Sequence, residues 1–246
     1  MQPDLVAFIE SIKTSEYDQG LDLLGPGYHL AHQSAREVAV PPDVEAGQGF
    51  TIASRWPINQ LHELDLHLTP RTANYACGAM LAQIDAPGPI GPLLFALHLP
   101  NWQLDFEYER ELQAVVVARK IEEFRGAGGD LPVVLAGDLD ADPAAASTRF
   151  WTGRQSLQGM SVCYRDAWES AHPTELGHTF TPDNPLMNDR DWPFRRIDYI
   201  FIRCGTHNGP LLSVRSCERT FDQPSNGAVC QLRCDVFTPG DVRHGA

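Results

Sequence analysis

The sequence predicts one α/β (α+β) domain in which two β-sheets pack face to face and helices cover the outside. Three observations lead to this prediction. Strand-like apolar runs recur along most of the 246 residues, only one segment has the period of a long helix, and neither a linker nor an internal repeat divides the chain. Since this length is near the upper end for one compact domain, residues 1–246 are predicted as a single unit.

Eight segments are predicted as strands because they are short and apolar and end near turn residues. They are residues 5–9, 49–53, 60–66, 75–84, 93–99, 131–136, 196–202 and 211–217. The clearest is 131–136, which contains β-branched residues and is followed by Gly137-Asp138.

One long helix is predicted at 106–124, where apolar residues recur at three- and four-residue spacing before a glycine-rich end. Shorter helices are predicted at 18–24 and 144–151. With strands in the majority, this pattern favours two stacked sheets with few helices.

The formal net charge of -13 and the pI near 5.0 argue against nucleic-acid binding by general electrostatics, which needs Lys and Arg. They do not exclude a metal-dependent enzyme, because a bound divalent cation inverts the local electrostatic field. No apolar run reaches the roughly 18 residues that span a bilayer, so no membrane partner is expected. The first residues lack the pattern of a secretory signal, and we expect a cytoplasmic monomer.

The six cysteines include no CxxC pair and no matching Cys/His set. This spacing disfavours both a zinc site and a disulfide framework. Buried free thiols in a reducing compartment are the simpler interpretation.

Carboxylates occur where strands end, which is where a rigid backbone can present oxygen ligands to magnesium. Glu10 directly follows LVAFI, although a charged residue there could simply cap the strand. Asp138, Asp140 and Asp142 alternate after VVLA, where they could repel one another around a cation or form an Asp-rich turn into a helix.

Asp198 lies inside the apolar segment RRIDYIF, where an acid is costly unless it is paired. It could form an ion pair with Arg195 or Arg196 instead of acting at a site. His98 ends the strand LLFALHLP, where it could be a structural residue or donate a hydrogen bond to phosphate.

In this order the motifs resemble the endonuclease/exonuclease/phosphatase superfamily, whose fold is that of deoxyribonuclease I. They are PDLVAFIES, GFTIASRWPI, LLFALHLP, the helix ELQAVVVARKIEEF, VVLAGDLDADP and RRIDYIFIRC. The resemblance covers residues 3 to about 222. It implies a four-layer α-β-β-α sandwich of two mixed β-sheets with outer helices.

The resemblance also implies roles for the acids. Glu10 matches the family's glutamate that binds Mg²⁺ (or Mn²⁺). Asp138 matches the aspartate of GDxN, which positions or deprotonates the attacking water. Asp140 stands where the family usually has an asparagine that contacts the phosphate and the transition state, so an anion replaces an amide donor there.

Three further residues match the family pattern. His98 matches a histidine that contacts the phosphate or the leaving group. Asp198 matches the aspartate that orients the catalytic histidine. Arg110 matches a helix arginine with a packing or ion-pair role.

The sequence departs from the family at both ends. The strand that supplies an asparagine near the metal is missing before PDLVAFIE, and the closing Ser-Asp-His has no counterpart, since the chain contains no Asp-His dipeptide. Residues 225–246 form an atypical tail. Its alternation at Cys230, Leu232, Cys234 and Val236 could still form a strand.

We therefore expect a metal-dependent phosphoester hydrolase, either a phosphodiesterase or nuclease or a phosphatase, that is impaired by the lost histidine. Its substrate is a phosphoester of unknown identity, with nucleic acid only weakly expected. The alternatives are an inactive relative that binds a ligand or partner, and a nucleic-acid-binding module, which the acidic charge disfavours.

Overall fold

The computed structural model describes residues 2–34, 48–126, 131–181, 194–205, 207 and 209–220, together with the backbone of 231–237. Within these ranges the chain forms eleven strands and four α-helices. The strands are β1 (Leu5–Ile12), β2 (His29–His32), β3 (Gln48–Ser54), β4 (Ile58–Asp65), β5 (Gly78–Ile84), β6 (Leu93–Leu99), β7 (Val133–Asp138), β8 (Tyr164–Asp166), β9 (Asp198–Arg203), β10 (Ser213–Thr220) and β11 (Gln231–Phe237). The helices are α1 (Gln19–Leu24), α2 (Glu107–Arg125), α3 (Ala146–Trp151) and α4 (Ala167–Ala171), and a 3-10 turn covers Pro70–Thr72.

A six-stranded sheet, called here the large sheet, has the strand order β4-β5-β6-β7-β9-β8. Its central strands β6 and β7 are parallel and every other neighbouring pair is antiparallel, so the sheet is mixed. Every residue of β6 is buried, which explains its unbroken apolar sequence. The parallel pair matters for the site because the carboxyl ends of β6 and β7 reach the same edge of the sheet.

A smaller antiparallel sheet, called the small sheet, has the order β1-β3-β2, and β10 pairs with β11 as a separate antiparallel ribbon. One face of β3 buries Phe50 and Ile52 against residues such as Met80 and Leu97 of the large sheet. This apolar layer is the core between the sheets.

Helices cover both outer faces. On the far side of the large sheet, Val117 and Ile121 of α2 and Trp151 of α3 pack against the strands in a second core. On the outside of the small sheet, α1 approaches so closely that a side chain at Gly20 would contact Thr51 of β3. The described residues therefore form the predicted α-β-β-α layers, and the fold class is confirmed.

Each of the eight predicted strands overlaps an observed one, and the three predicted helices are present. The exact bounds were wrong by up to three residues, as for 75–84, which begins only at Gly78. Strands β2 and β8 and helix α4 were not predicted, because each has five residues or fewer and too little periodicity. The possible strand in the tail is present as β11, although its side chains lie outside the description.

The four cysteines whose side chains are described are free. Three of them are buried and Cys163 is half-buried, in agreement with the expected thiols. None of the helices described combines the length and the apolar character needed to cross a bilayer.

Candidate active site

Two carboxylates face each other where β7 ends and β9 begins. Asp138 and Asp198 are directly opposite partners in this antiparallel pair. Val134 and Ala136 of β7 face the core between the sheets, so Asp138, four residues after Val134 and two after Ala136, lies on that same face. The sheet register thus places both acids at the edge of the large sheet that faces the small sheet.

Glu10 reaches the same region from the small sheet. The pairing of β1 with β3 shifts its register between Phe8 and Ser11, and Glu10 within this bulge has a positive φ of 55°. A bulge bends the strand and redirects a side chain, so this local irregularity places the carboxylate. Glu10 is solvent-exposed and close enough to Asp138 and Asp140 to raise the pKa of both.

Asp140 completes the group through a tight turn after β7. Its backbone N–H donates to Asp138 Oδ1 at 2.9 Å, and its φ is 51°. Arg195 Nη2 donates to the Asp140 carbonyl oxygen at 2.6 Å. The Asp-rich turn considered as an alternative is therefore real, but it also carries two of the clustered acids. Asp142, half exposed and 3.5 Å from the Arg195 Nε, lies at its outer end.

Burial dominates the electrostatics of these acids. It raises the pKa of Asp138 well above the ordinary range, and the carboxylates of Asp140, Asp198 and Glu10 raise that pKa further. Burial also raises the pKa of Asp140 to about 7, a shift that Arg195 and Arg110 oppose and that Asp198 and Glu10 increase. The four carboxylates thus form one acidic cluster, which a nearby cation would stabilise.

Thr179 holds Asp198. Its Oγ1 accepts from the backbone N–H groups of Ile197 and Asp198, each at 3.2 Å. Burial raises the pKa of Asp198 to about 6, while a hydrogen bond with the Thr179 side chain opposes the rise.

Arg195 and Arg196, the two arginines considered as ion-pair partners of Asp198, pair with other acids instead. Arg196 pairs with buried Asp166 at 2.7 Å, and Arg195 lies near Asp142. Within the described part of the chain, the Asp198 carboxylate therefore interacts with Thr179 and with its acidic neighbours.

Arg110 connects the cluster to the loop that follows β6. The guanidinium donates to the carbonyl oxygens of Asn101 at 2.9 Å and Gln103 at 2.6 Å, and it pairs with Glu107 at 2.8 Å. It is also close enough to Asp140 to lower the pKa of that group. Arg110 thus makes an ion pair, which is one of the two alternative roles expected for it.

His98 does not join the acids. Leu94 and Ala96 of β6 face the helix side of the large sheet, so His98 lies on that side too, with its ring 6.2 Å from that of Trp151. It is 1% exposed, and its Nδ1 has no hydrogen-bond partner among the residues that the structure describes. Burial lowers the pKa of His98 to about 4, against a hydrogen bond with the backbone of Gly78. The ring is neutral at pH 7, and its contact with phosphate stays a prediction.

Sequence reasoning did not predict the contacts that support the cluster. Thr179 and Arg195 bind Asp198 and the Asp140 backbone, and Gln113 Nε2 bonds Asn101 Oδ1 at 2.6 Å beneath the β6 loop. These partners are 12 to 55 positions apart in the chain. No local pattern signals such contacts, although the buried polar Gln113 inside the apolar face of a helix was a usable hint.

The raised pKa values predict a stability that falls as pH rises. In the unfolded chain these carboxyls lose their protons near pH 4, whereas folded Asp198 and Asp140 keep theirs to about 6 and 7. Between pH 4 and 7 the folded state binds more protons, so the free energy of unfolding decreases. Urea unfolding in EDTA is expected to show a loss on the order of 3 kcal/mol between pH 5 and 8.

Two variants test whether the clustered acids cause this pH dependence of the free energy of unfolding. Asp140→Asn should flatten the upper part of the profile, and Asp105→Asn, whose side chain is 78% exposed, should leave the profile unchanged. A wild-type profile that rises over this range would contradict the arrangement.

The fold and the site together define a two-sheet α+β protein with an acidic centre where the sheets meet. The sequence model of the Endonuclease/Exonuclease/phosphatase family matches residues 1–213. The chain therefore belongs to this family, whose members are hydrolases that act on phosphoesters. No curated protein sequence matches it.

Solved structures agree on the fold. The human Nocturnin catalytic domain with bound sulfate is 16% identical, with a TM-score of 0.69 over 96% of this chain and 81% of that one. D. rerio TDP2 complexed with a single-strand DNA product is 20% identical, with a TM-score of 0.70 over 96% and 86%. A mannosyl-6-phosphatase of Bacteroides thetaiotaomicron is 15% identical, with a TM-score of 0.59 over 89% and 80%. At these identities the likeness shows the fold alone.

Proposed function

We propose that this chain is a divalent-metal-dependent phosphoester hydrolase whose chemistry depends on Glu10, Asp138, Asp140 and Asp198. The observation that supports this most is their convergence from two sheets into one acidic cluster. Three carboxylates that lie close enough to raise the pKa of their neighbours are unfavourable in a purely structural role. Binding of a cation and a phosphoryl group would explain why these acids lie together.

The donor set fits Mg²⁺ or Mn²⁺ better than zinc. In the part of the chain described, no three His, Cys, Asp or Glu side chains stand together as a ready-made metal site. Magnesium needs no such cage, since it binds through one or two carboxylates and keeps waters and substrate oxygens. Glu10 would hold the ion, which when bound polarises the phosphoryl oxygen and neutralises developing charge.

Asp138 is proposed to orient the attacking water and to accept its proton. Its Oδ1 is fixed by the Asp140 N–H, and its raised pKa makes it a better base than an ordinary carboxylate. Asp140 replaces an amide, and the guanidinium groups of Arg195 and Arg110 compensate part of that extra negative charge. Both acids would therefore act without further rearrangement of the turn.

The part of the catalytic machinery that we expect to be impaired is the one that includes Asp198. In relatives this position orients a histidine, but no Asp-His dipeptide occurs in the sequence and the family match ends at residue 213. Since a general acid–base group contributes about 10²- to 10⁴-fold, hydrolysis should be slower by that order than in a relative with the dyad. The same observation favours, as a second candidate, a binding domain that keeps the cluster without turnover.

Hydrolysis of bis-p-nitrophenyl phosphate tests the proposal. We expect measurable turnover with Mg²⁺ or Mn²⁺, none in EDTA, and a loss of at least about tenfold in Glu10→Gln, because one anionic metal ligand is removed. Glu16→Gln, a change at an exposed residue six positions on, is the matched control.

Two results would reject the hydrolase. One is turnover that is equal in EDTA. The other is an equal effect of the two glutamine variants. Metal binding detected by calorimetry, without any turnover, would support the second candidate instead.

A further inference from the structure

Four polar side chains form a hydrogen-bond network between α1 and the small sheet. Asp18 Oδ2 lies 2.9 Å from His32 Nε2, and His32 Nδ1 lies 3.0 Å from Thr51 Oγ1. Thr51 Oγ1 in turn lies 2.8 Å from Ser11 Oγ. His32 on β2 is the register partner of Thr51 on β3, so the pairing of the sheet brings these groups together. We call these four residues the α1 network.

The Ser11 end of the α1 network closes the β-bulge that contains Glu10. Before the bulge Phe8 pairs with Thr51, and after it Ser11 pairs with Gly49. The Ser11 hydroxyl contacts Thr51 Oγ1 and lies 3.3 Å from the Gly49 carbonyl oxygen, so it binds β3 on both sides of the bulge. A positive φ such as the 55° of Glu10 is costly for a residue other than glycine and persists only where the surroundings enforce it. The contacts of Ser11 supply that enforcement at the next residue.

The other end of the α1 network is fixed by the start of α1. Asp18 is the N-cap residue of this helix, and its Oδ1 accepts from the Leu21 N–H at 3.1 Å. Burial raises the pKa of Asp18, but the Leu21 N–H and His32 are among the groups that lower that pKa below its ordinary value. The next residue, Gln19, accepts the Ile12 N–H at 2.9 Å, which ties the end of β1 to the same helix. The α1 network therefore joins a capped helix to the bulge.

A carboxylate, an imidazole and a hydroxyl in series can also activate a nucleophile, but the burial of these hydroxyls excludes that role. Thr51 is 1% and Ser11 3% exposed, so no phosphoester reaches them. Phe50 and Ile52 face the core between the sheets, and Thr51 between them faces α1, away from the large sheet and its acids. The α1 network can therefore act on the site only through the backbone of β1.

We propose that the α1 network positions the metal ligand: by closing the β1 bulge, it holds the Glu10 carboxylate where it binds the divalent ion. Its four members are thus positioning residues and not catalytic ones. This inference rests on the proposed function, in which Glu10 is the metal ligand. Removing a side chain that supports a metal ligand typically weakens metal affinity by about 10- to 100-fold, because the ligand loses its fixed orientation.

Two variants of Thr51 separate the hydroxyl from the packing at the centre of the α1 network. Thr51→Val keeps the shape of the side chain and loses its bonds to Ser11 and His32. Calorimetric titration of the full chain with Mn²⁺, without substrate, should give a Kd about 10- to 100-fold weaker in this variant. Thr51→Ser keeps the hydroxyl and should restore most of the affinity. Ser11→Ala removes the hydroxyl at the bulge itself and should weaken Mn²⁺ binding in the same way.

Ser54→Ala is the matched control. Ser54 is a fully buried hydroxyl at the opposite end of β3, where it accepts the Trp56 N–H at 3.0 Å. Its loss should leave the Mn²⁺ Kd unchanged, whatever it does to the free energy of unfolding. Urea unfolding of each variant shows that the protein titrated is folded, and Ser11→Ala decides the question if Thr51→Val does not fold.

The outcomes separate this inference from the function on which it rests. Unchanged Mn²⁺ affinity in Thr51→Val and Ser11→Ala, an equal loss in Ser54→Ala, or no rescue by Thr51→Ser would overturn the positioning role. If Glu10→Gln still weakened Mn²⁺ binding, the hydrolase would remain. Wild-type protein that binds no Mn²⁺, or binds it as well as Glu10→Gln does, would remove the proposed function and this inference together.

Discussion

Asp138→Asn is expected to lower kcat by about 10²- to 10⁴-fold and, at the same time, to stabilise the metal-free protein at pH 7. The substituted amide oxygen can still accept the Asp140 N–H, so the turn after β7 keeps its shape. The substitution removes the base of the reaction. It also removes an acid that is costly to ionise at this position, because burial and neighbouring acids raise the pKa of Asp138. Removing that charge should increase the free energy of unfolding by at least about 1 kcal/mol.

Kinetics with bis-p-nitrophenyl phosphate and urea unfolding in EDTA measure the two effects. Asp142→Asn is the matched control, because it changes another acid of the same turn whose side chain is half exposed and only loosely paired with Arg195. It should leave activity within about threefold. If Asp138→Asn lost stability along with activity, or kept activity within threefold, the role assigned to Asp138 would be wrong.

Gly137→Ala is expected to destabilise the protein by about 3 kcal/mol, at the upper end of overpacking costs. Gly137 lies in β7 beside β6, and an added Cβ would fall on the backbone carbonyl of His98. A backbone group in a paired strand cannot turn aside as a long side chain can. The two central strands would have to separate, and the Asp138 carboxylate would move with them.

Thermal or urea unfolding measures this loss, and Gly27→Ala is the control. Gly27 has open space around its Cβ position and no positive φ, so alanine there should change stability by less than about 0.5 kcal/mol. Equal stabilities of the two alanine variants would show that β6 and β7 are not packed as closely as described.

The strands differ in how well the local sequence predicts them. The strands β6 and β7 were predictable because burial on both faces requires a continuous apolar run. The strands β2 and β8 have four and three residues and exist through their pairing with β3 and β9. Their hydrogen bonds come from distant segments, so their own residues carried too little signal.

The candidate site divides in the same way. Glu10, Asp138 and Asp198 could be selected because a carboxylate that ends or interrupts an apolar strand is locally anomalous. His98 had the same local signature, yet the strand alternation turns it to the helix side of the sheet, beneath Trp151. A motif therefore selects candidate site residues, and the alternation of side chains along the strand decides which face of the sheet they occupy.

By itself the sequence determined the fold class, five of the six strands of the large sheet and the acids available for chemistry, because hydrophobic period and strand-end carboxylates are local properties. Tertiary structure alone decided that Glu10 approaches the acids of the large sheet from the small sheet and that Thr179 holds Asp198. The physical reason is that these depend on register, on one β-bulge and on hydrogen bonds between distant segments. Each of these is set by the packing of the whole chain.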